Sequence, residues 1–356
     1  MKYFLSLLLF LIVFALPSAA QSGRVKQKDK EEEEKKTPKA VYVPTQTATP
    51  KPTQTPPPLN ERPRVIDDDE TIEIDSTLVP IPVSAIDQRT SRSIENLVLS
   101  DFSLTVDGKT AQIGDLFRSE TPVRLALLFD NSSSVTVARE FEQKAAIRFF
   151  KRVVRPQLDL AALFSVAATT HLEQPLTKDV DLLVDAIRRF PPPEGATALH
   201  DGLVEAAEYL RDYPGRRVIV IVSDGQDTLS DTTFDNMVVA VQKANCQVYV
   251  VHTNEFENIK RTGARSGNAN LRALAAERRM KSLTEQTGGA VYSPVDEDEL
   301  DNAFRQISAE LASQYILGYY PEKESGTGIY RQIEVKLVSR PDVFLRFRSG
   351  YYSGAK

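Results

Sequence analysis

An α/β fold built on a doubly wound, mostly parallel sheet is what this sequence predicts for its centre, and three observations carry the prediction. Short, nearly continuous apolar runs recur through the middle of the chain at Val123–Phe129, Leu158–Val166, Val218–Val222 and Cys246–Val251, as expected for strands covered on both faces. Helical patterns separate them at Val137–Val154, Asp179–Arg189, Leu199–Asp212, Thr233–Ala244, Leu271–Thr287 and Asp296–Gln314. Period-two alternation lies on either side of this block, which places a different, antiparallel kind of strand at both ends. The stretch Glu255–Asn270, rich in Gly, Asn and Arg, reads as an exposed flexible loop.

The 356 residues divide by composition. Lys2, the apolar run Tyr3–Leu16 and Pro17-Ser18-Ala19-Ala20 form a secretory signal with small residues before a cleavage point after Ala20. A bilayer-spanning helix needs about 20 apolar residues, more than this run offers. Residues 21–66 carry Lys/Glu runs (Glu31–Lys36) and Pro/Thr repeats (Thr45–Pro58), a composition too poor in apolar surface to offset its ordering entropy, so a disordered tether is expected. Residues 67–121 alternate, as in Thr71-Ile72-Glu73-Ile74 and Phe102–Val106. Asp107-Gly108 then supplies a two-residue hairpin turn, with the return strand near Thr110–Ile113. Residues 314–356 show the same alternation, with Tyr330–Val338 alternating, Arg340-Pro341-Asp342 turning, and Val343–Phe347 alternating again. Neither end is large enough to stand alone, because an isolated hairpin is marginal in water. One small all-β module assembled from both ends, flanking a central domain at 122–313, is therefore expected.

Charge and cysteine content narrow the function. The formal charge is −5 and becomes −6 once Lys2 leaves with the signal, which argues against nucleic acid as a partner. The pairs Arg188-Arg189, Arg216-Arg217 and Arg278-Arg279 read as solvated helix and turn faces. Cys246 is the sole cysteine, so no disulfide forms within the chain. A secreted or periplasmic protein stabilised by its core, with no membrane span after signal cleavage, is the expected class.

The candidate chemistry sits where strands end. Asp130-Asn131-Ser132-Ser133-Ser134 closes the first apolar run with one carboxylate and two hydroxyls, Asp130, Ser132 and Ser134, on a tight turn. Asp224 follows the run Val218–Val222, and Thr197 lies in Gly195-Ala196-Thr197-Ala198-Leu199 before a helix. Ligands of open α/β sheets bind at the carboxyl ends of strands where the order reverses, and an order of 3-2-1-4-5-6 would make the Asp130 and Asp224 strands neighbours. Hard oxygen donors suit Mg²⁺, Mn²⁺ or Ca²⁺ rather than zinc or copper. Taken singly, each group also has an ordinary structural reading: Asp-x-Ser-x-Ser and Thr197 as helix N-caps, Asp224-Gly225 as a turn. Asp201 and Asp227 suit outer positions or caps, and His171, His200 and His252 are scattered and structural.

With those residues in view, the chain resembles the von Willebrand factor type A family, whose metal-ion-dependent adhesion site reads Asp-x-Ser-x-Ser, a separate Thr, then an Asp after the fourth strand. Asp130, Ser132 and Ser134 match the first element, Thr197 the second and Asp224 the third. The resemblance extends to a bacterial secreted subgroup through Asp-Phe-x-Leu-x-x-Asp-Gly-Lys (Asp101–Lys109) and Tyr-x-Leu-Gly-Tyr-Tyr (Tyr315–Tyr320). Ser133 and Val135 depart from the Gly and Met often found there, a change in turn geometry and not in ligands. The resemblance implies a Rossmann-like domain, a Mg²⁺ (or Mn²⁺ or Ca²⁺) site, and a protein partner whose exposed Asp or Glu completes the coordination, hence metal-dependent binding or adhesion.

Catalysis is not expected. Gly-x-Ser-x-Gly, Gly-x-Gly-x-x-Gly and Gly-x-x-x-x-Gly-Lys are absent, and Ser132 stands where a phosphate-transfer enzyme built on Asp130 would place a second carboxylate. The competing expectation is a cell-envelope scaffold that uses the fold without the metal.

Overall fold

A computed structural model describes residues 78–356 apart from 91, 119–120, 138, 194, 266–270, 322–326, 339, 341 and 355–356. The expected signal, the tether and the alternation at Thr71–Ile74 lie outside the described residues. The described residues begin with β1 (Val79–Asp87), β2 (Phe102–Val106), β3 (Lys109–Ala111) and β4 (Ile113–Phe117). The central domain follows with β5 (Val123–Asp130), α1 (Arg139–Val153), β6 (Leu160–Val166), β7 (Thr170–Thr177), α2 (Val180–Arg188), α3 (Leu199–Arg211) and β8 (Arg216–Ser223). It continues through α4 (Phe234–Lys243), β9 (Cys246–His252), α5 (Asn254–Thr262), α6 (Leu271–Thr287), β10 (Val291–Tyr292) and α7 (Glu297–Ser313). The chain closes with β11 (Tyr315–Tyr319), β12 (Tyr330–Leu337), β13 (Val343–Phe347) and β14 (Gly350–Tyr352).

The central sheet runs β10-β9-β8-β5-β6-β7, which is the order 3-2-1-4-5-6 when its strands are numbered from β5. All pairings are parallel except β6 with β7. Alternate residues of β5 serve opposite faces. Leu125, Leu127 and Phe129 join Phe149 and Phe150 of α1, Ile187 of α2 and Phe304 of α7, while Ala126 and Leu128 join Leu203 of α3, Val241 of α4 and Leu283 of α6. This two-sided burial is why the strand sequence reads as an unbroken apolar run.

Both chain ends build one sandwich. Its sheets run β13-β1-β11-β4 and β14-β12-β2-β3, so each combines strands from before and after the central domain. Ile81, Val83, Leu104, Leu317, Ile333 and Val335 fill the space between them. Asp107 and Gly108 both have positive φ, 48° and 76°, the backbone of the tight turn between β2 and β3. The alternating segments β12 and β13 do not pair with each other across the Arg340–Asp342 turn; they enter opposite sheets. A buried carboxylate ties sandwich to central domain: Glu310 of α7 accepts hydrogen bonds from Ser84 Oγ of β1 at 2.6 Å, Tyr249 Oη of β9 at 2.9 Å and Arg346 Nη1 of β13.

Two sequence expectations are corrected. Glu255–Asn270 is not all loop: α5 occupies Asn254–Thr262 with Phe256 and Glu257 buried. Acidic residues in its first turn, basic residues in its last, and Gly263 at φ 73° as a left-handed end explain why it forms. Arg216 is not a solvated turn residue but is only 6% exposed, because it opens the central strand β8 opposite Val123 of β5. Arg188, Arg189, Arg278 and Arg279 are exposed as expected. The edge strand β7, whose residues are mostly polar or half-buried, has no apolar run to announce it.

Candidate metal centre

The β5–β8 register builds the site. Phe129 lies opposite Val222, so the next residues, Asp130 and Ser223, face one another and Ser223 Oγ donates to Asp130 Oδ2 at 2.6 Å. The other oxygen, Oδ1, accepts from the backbone N–H of Ser132 at 2.9 Å. Ser132 and Ser134 then bring their hydroxyl oxygens to 2.9 Å from each other. Ser132 makes no side-chain cap bond, and α1 starts only at Arg139, so the turn is not an N-cap of that helix. Instead it is held from the side: Ser133 donates from N and Oγ to the carbonyl of Gly195 at 3.3 and 3.0 Å.

That contact brings the Thr197 loop to the Asp130 turn. Gly195 sits at φ 74°, a backbone that favours glycine. Thr197 is 3% exposed; its N–H donates to Thr228 Oγ1 at 3.0 Å and its carbonyl accepts from the N–H groups of Thr228 and Leu229 at 2.9 and 3.1 Å. The residue capping α3 is Ala198, so the Thr197 hydroxyl is not used as a cap. Asp224, one residue past β8, is 3% exposed. Gln226 holds both its oxygens, donating from N to Oδ1 at 3.0 Å and from Nε2 to Oδ2 at 2.9 Å. All five expected residues therefore lie at the carboxyl edge of β5 and β8, with Ser134 the exposed member.

The electrostatics are those of carboxylates lacking a counter-charge. Burial first, and then the neighbouring Asp224 carboxylate, pushes the Asp130 carboxyl up to about 6, against hydrogen bonds from Ser223 and Ser132 that lower it. Glu142 of α1 is 1% exposed. Burial, then Glu257, holds it well above the usual carboxylate range, with smaller contributions from Asp130 and Asp224. Among the described residues no hydrogen-bond partner meets its Oε1. Among the described residues no group of three His, Cys, Asp or Glu side chains gathers as a metal site; the donors here are two carboxylates and three hydroxyls. That set fits a hard divalent cation, which accepts neutral oxygen donors.

The outer groups behave as caps. Asp227 accepts from His200 N at 3.2 Å and Ser230 Oγ at 2.5 Å, and Asp201 accepts from the N–H groups of Asp231 and Thr232. Of the histidines, His171 is exposed, whereas His200 and His252 are buried. Sequence reasoning missed Ser223, Gln226 and Glu142. Glu142 had a signal: it shares the helical spacing of Ala145, Ala146 and Phe149 on the buried face of α1, a charge where an apolar residue is expected.

No curated protein matches the chain. Among solved structures, the PilB minor pilin from Streptococcus sanguinis is 14% identical, with 58% of this chain and 64% of that one covered at a TM-score of 0.41. The chain thus spans less than two thirds of that pilin structure. BatB from Bacteroides thetaiotaomicron is 14% identical, covering 52% of this chain and 97% of its own, also at 0.41. The three N-terminal domains of the type V pili tip protein Mfa5 from Porphyromonas gingivalis are 12% identical, covering 79% and 66%, again at 0.41. The family model of the von Willebrand factor type A domain matches residues 125–226, the span that holds Asp130, Ser132, Ser134, Thr197 and Asp224. What these comparisons show is therefore a von Willebrand factor type A domain match over residues 125–226 of the chain.

Proposed function

We propose that this chain is an extracytoplasmic protein-binding or adhesion module whose grip depends on a divalent cation, Mg²⁺ or else Mn²⁺ or Ca²⁺. Asp130, Ser132, Ser134, Thr197 and Asp224 would hold the ion, and an Asp or Glu of the partner protein would complete its shell. The observation that carries this reading is a convergence at two adjacent strand ends. Two buried carboxylates and the paired Ser132 and Ser134 hydroxyls lie there with the Thr197 loop beside them, and among the described residues no cationic side chain is hydrogen-bonded to either carboxylate. When bound, the cation supplies the positive charge that two close carboxylates lack and a coordination position that an acidic partner can fill. The chain's own part is orientation. Ser223 and the Ser132 N–H fix Asp130, Gln226 fixes Asp224, and the Gly195 carbonyl fixes the serine turn. The reading is of binding rather than catalysis, and of a secreted or periplasmic protein, which the signal-like run Lys2–Ala20 supports.

Unfolding free energy of the full chain in Mg²⁺ and in EDTA tests the cation. A ligand of the native state at a hundredfold excess over Kd stabilises by about 2.7 kcal/mol, and that gain should vanish in Asp130→Ala. Partners captured from envelope extract should be released by EDTA. Equal stability in both media for both proteins would leave the scaffold reading, in which the fold is used without a metal.

A further inference from the structure

A second feature lies at the other end of the same strands. Where the central domain meets the sandwich, a cavity of about 380 Å³ opens at the amino edge of β8 and β9, within the range of small-molecule sites, ~300–1,000 Å³. Leu78, Pro80, Phe117 and Ile316 line it from the sandwich side, and three arginines line it as well: Arg217, half-buried and bonded to the Tyr213 and Ala244 carbonyls, and the more deeply buried Arg216 and Arg348. Arg216 and Arg348 are only 6% and 8% exposed as residues, burial that charged side chains rarely show without a partner. Among the described residues, the Arg216 side chain makes one bond, from Nη2 to the Leu311 carbonyl at 2.9 Å, and its Nε and Nη1 have no partner. Arg348 donates to the Asn245 side-chain oxygen at 2.6 Å and the Pro80 carbonyl at 2.7 Å, and among the described residues its Nε has no partner.

Among the described residues, the nearby acids are committed elsewhere. Asp159 accepts from the Arg155 guanidinium with both oxygens, at 2.7 and 2.9 Å, besides backbone N–H groups. Glu310 is shared by Ser84, Tyr249 and Arg346. Two buried cations bonded only to neutral oxygens, with N–H groups left over, call for an anion from outside. The apolar wall indicates what that anion is attached to.

We propose that this seam is a binding site for an anionic amphiphile, a small molecule with one carboxylate or phosphate head for Arg216 and Arg348 and an apolar body for the Leu78–Phe117–Ile316 wall. Neither half of the cavity explains the other alone. A purely apolar ligand leaves the guanidinium N–H groups unmet, and a bare anion leaves the apolar wall wet. The site is independent of the cation reading, since it uses none of the same residues.

Calorimetric titration of the full chain in EDTA with octanoate, octanol and inorganic phosphate tests it. Octanoate is expected to bind at least tenfold more tightly than either of the others, each of which matches only half of the cavity. Arg216→Gln and Arg348→Gln should each weaken octanoate at least tenfold. Phe117→Glu, at a residue 43% exposed and so tolerant of change, places a carboxylate at the mouth and should abolish binding while the fold, read by circular dichroism, persists. Tighter binding of phosphate than of octanoate would overturn the apolar half and with it the amphiphile. No binding of octanoate, equal binding of octanol, or affinity unchanged in Phe117→Glu would overturn the site.

Discussion

The two edges of the central sheet differ in the sign of what they bury. At the carboxyl edge, Asp130 and Asp224 end β5 and follow β8, both at 3% exposure or less. At the amino edge, Arg216 opens β8 and Arg348 reaches in from the sandwich. Between them run the apolar stretches Leu125–Phe129 and Val218–Val222, so neither set neutralises the other. A fold that leaves opposite charges at opposite ends of an apolar slab keeps each available to a ligand of the complementary sign. The contrast with Glu310 is direct, because there the same kind of buried charge is met wholly from within the chain.

The contrast depends most heavily on the slab itself. Phe149 is fully buried on α1, its ring 4.9 Å from that of Phe304, and truncating such a side chain costs about 3–5 kcal/mol. Phe149→Ala should lose that much in urea unfolding and weaken ligand binding at both edges together. A loss below about 1 kcal/mol would mean that the edges do not share one scaffold.

The next effect separates the edges by pH. Asp130 is held at about 6 when folded, above its ordinary 3.8. Its contribution is therefore full below about pH 4 and is lost as pH rises through about 6, roughly 3 kcal/mol for about two units at 1.36 kcal/mol each. Without metal, the stability of wild type relative to Asp130→Asn should fall by that order between pH 4 and 7. Burial lowers Arg216 and Arg348 only to about 10, so both stay charged and the amino edge should not respond over this range. A flat difference curve would remove the electrostatic account of the carboxyl edge.

The smallest effect is expected where charges already meet at the surface. Arg148 of α1 reaches Asp301 of α7 at 2.5 Å, with half of its side chain exposed, and exposed pairs contribute at most about 1 kcal/mol and are screened by salt. Asp301→Asn should shift urea unfolding by less than this, and the shift should shrink in high salt.

How much of the molecule is legible in its sequence follows from local patterning. The apolar runs of β5, β8 and β9 and the spacing of α6 stand out because two-sided burial and a 3.6-residue period leave direct traces. Asp130, Ser132, Ser134, Thr197 and Asp224 are readable because they close such runs or sit in the loops beside them. What is not readable depends on register or on distant contact. Ser223 acquires its role only from lying across from Asp130, and Arg216 looks like a turn residue until β8 is placed between β5 and β9. The edge strand β7 and helix α5 escape for another reason: both carry many polar residues, and their positions are fixed by neighbours more than by pattern.

The shared sandwich has a mechanical consequence. Because β1 is laddered to both β11 and β13, and β12 to β2, the strands before and after the central domain are stapled to each other. Tension applied between Leu78 and Ser353 therefore travels across those ladders and bypasses the parallel sheet. The carboxyl-edge turn would feel no load from such end-to-end tension until the sandwich had come apart.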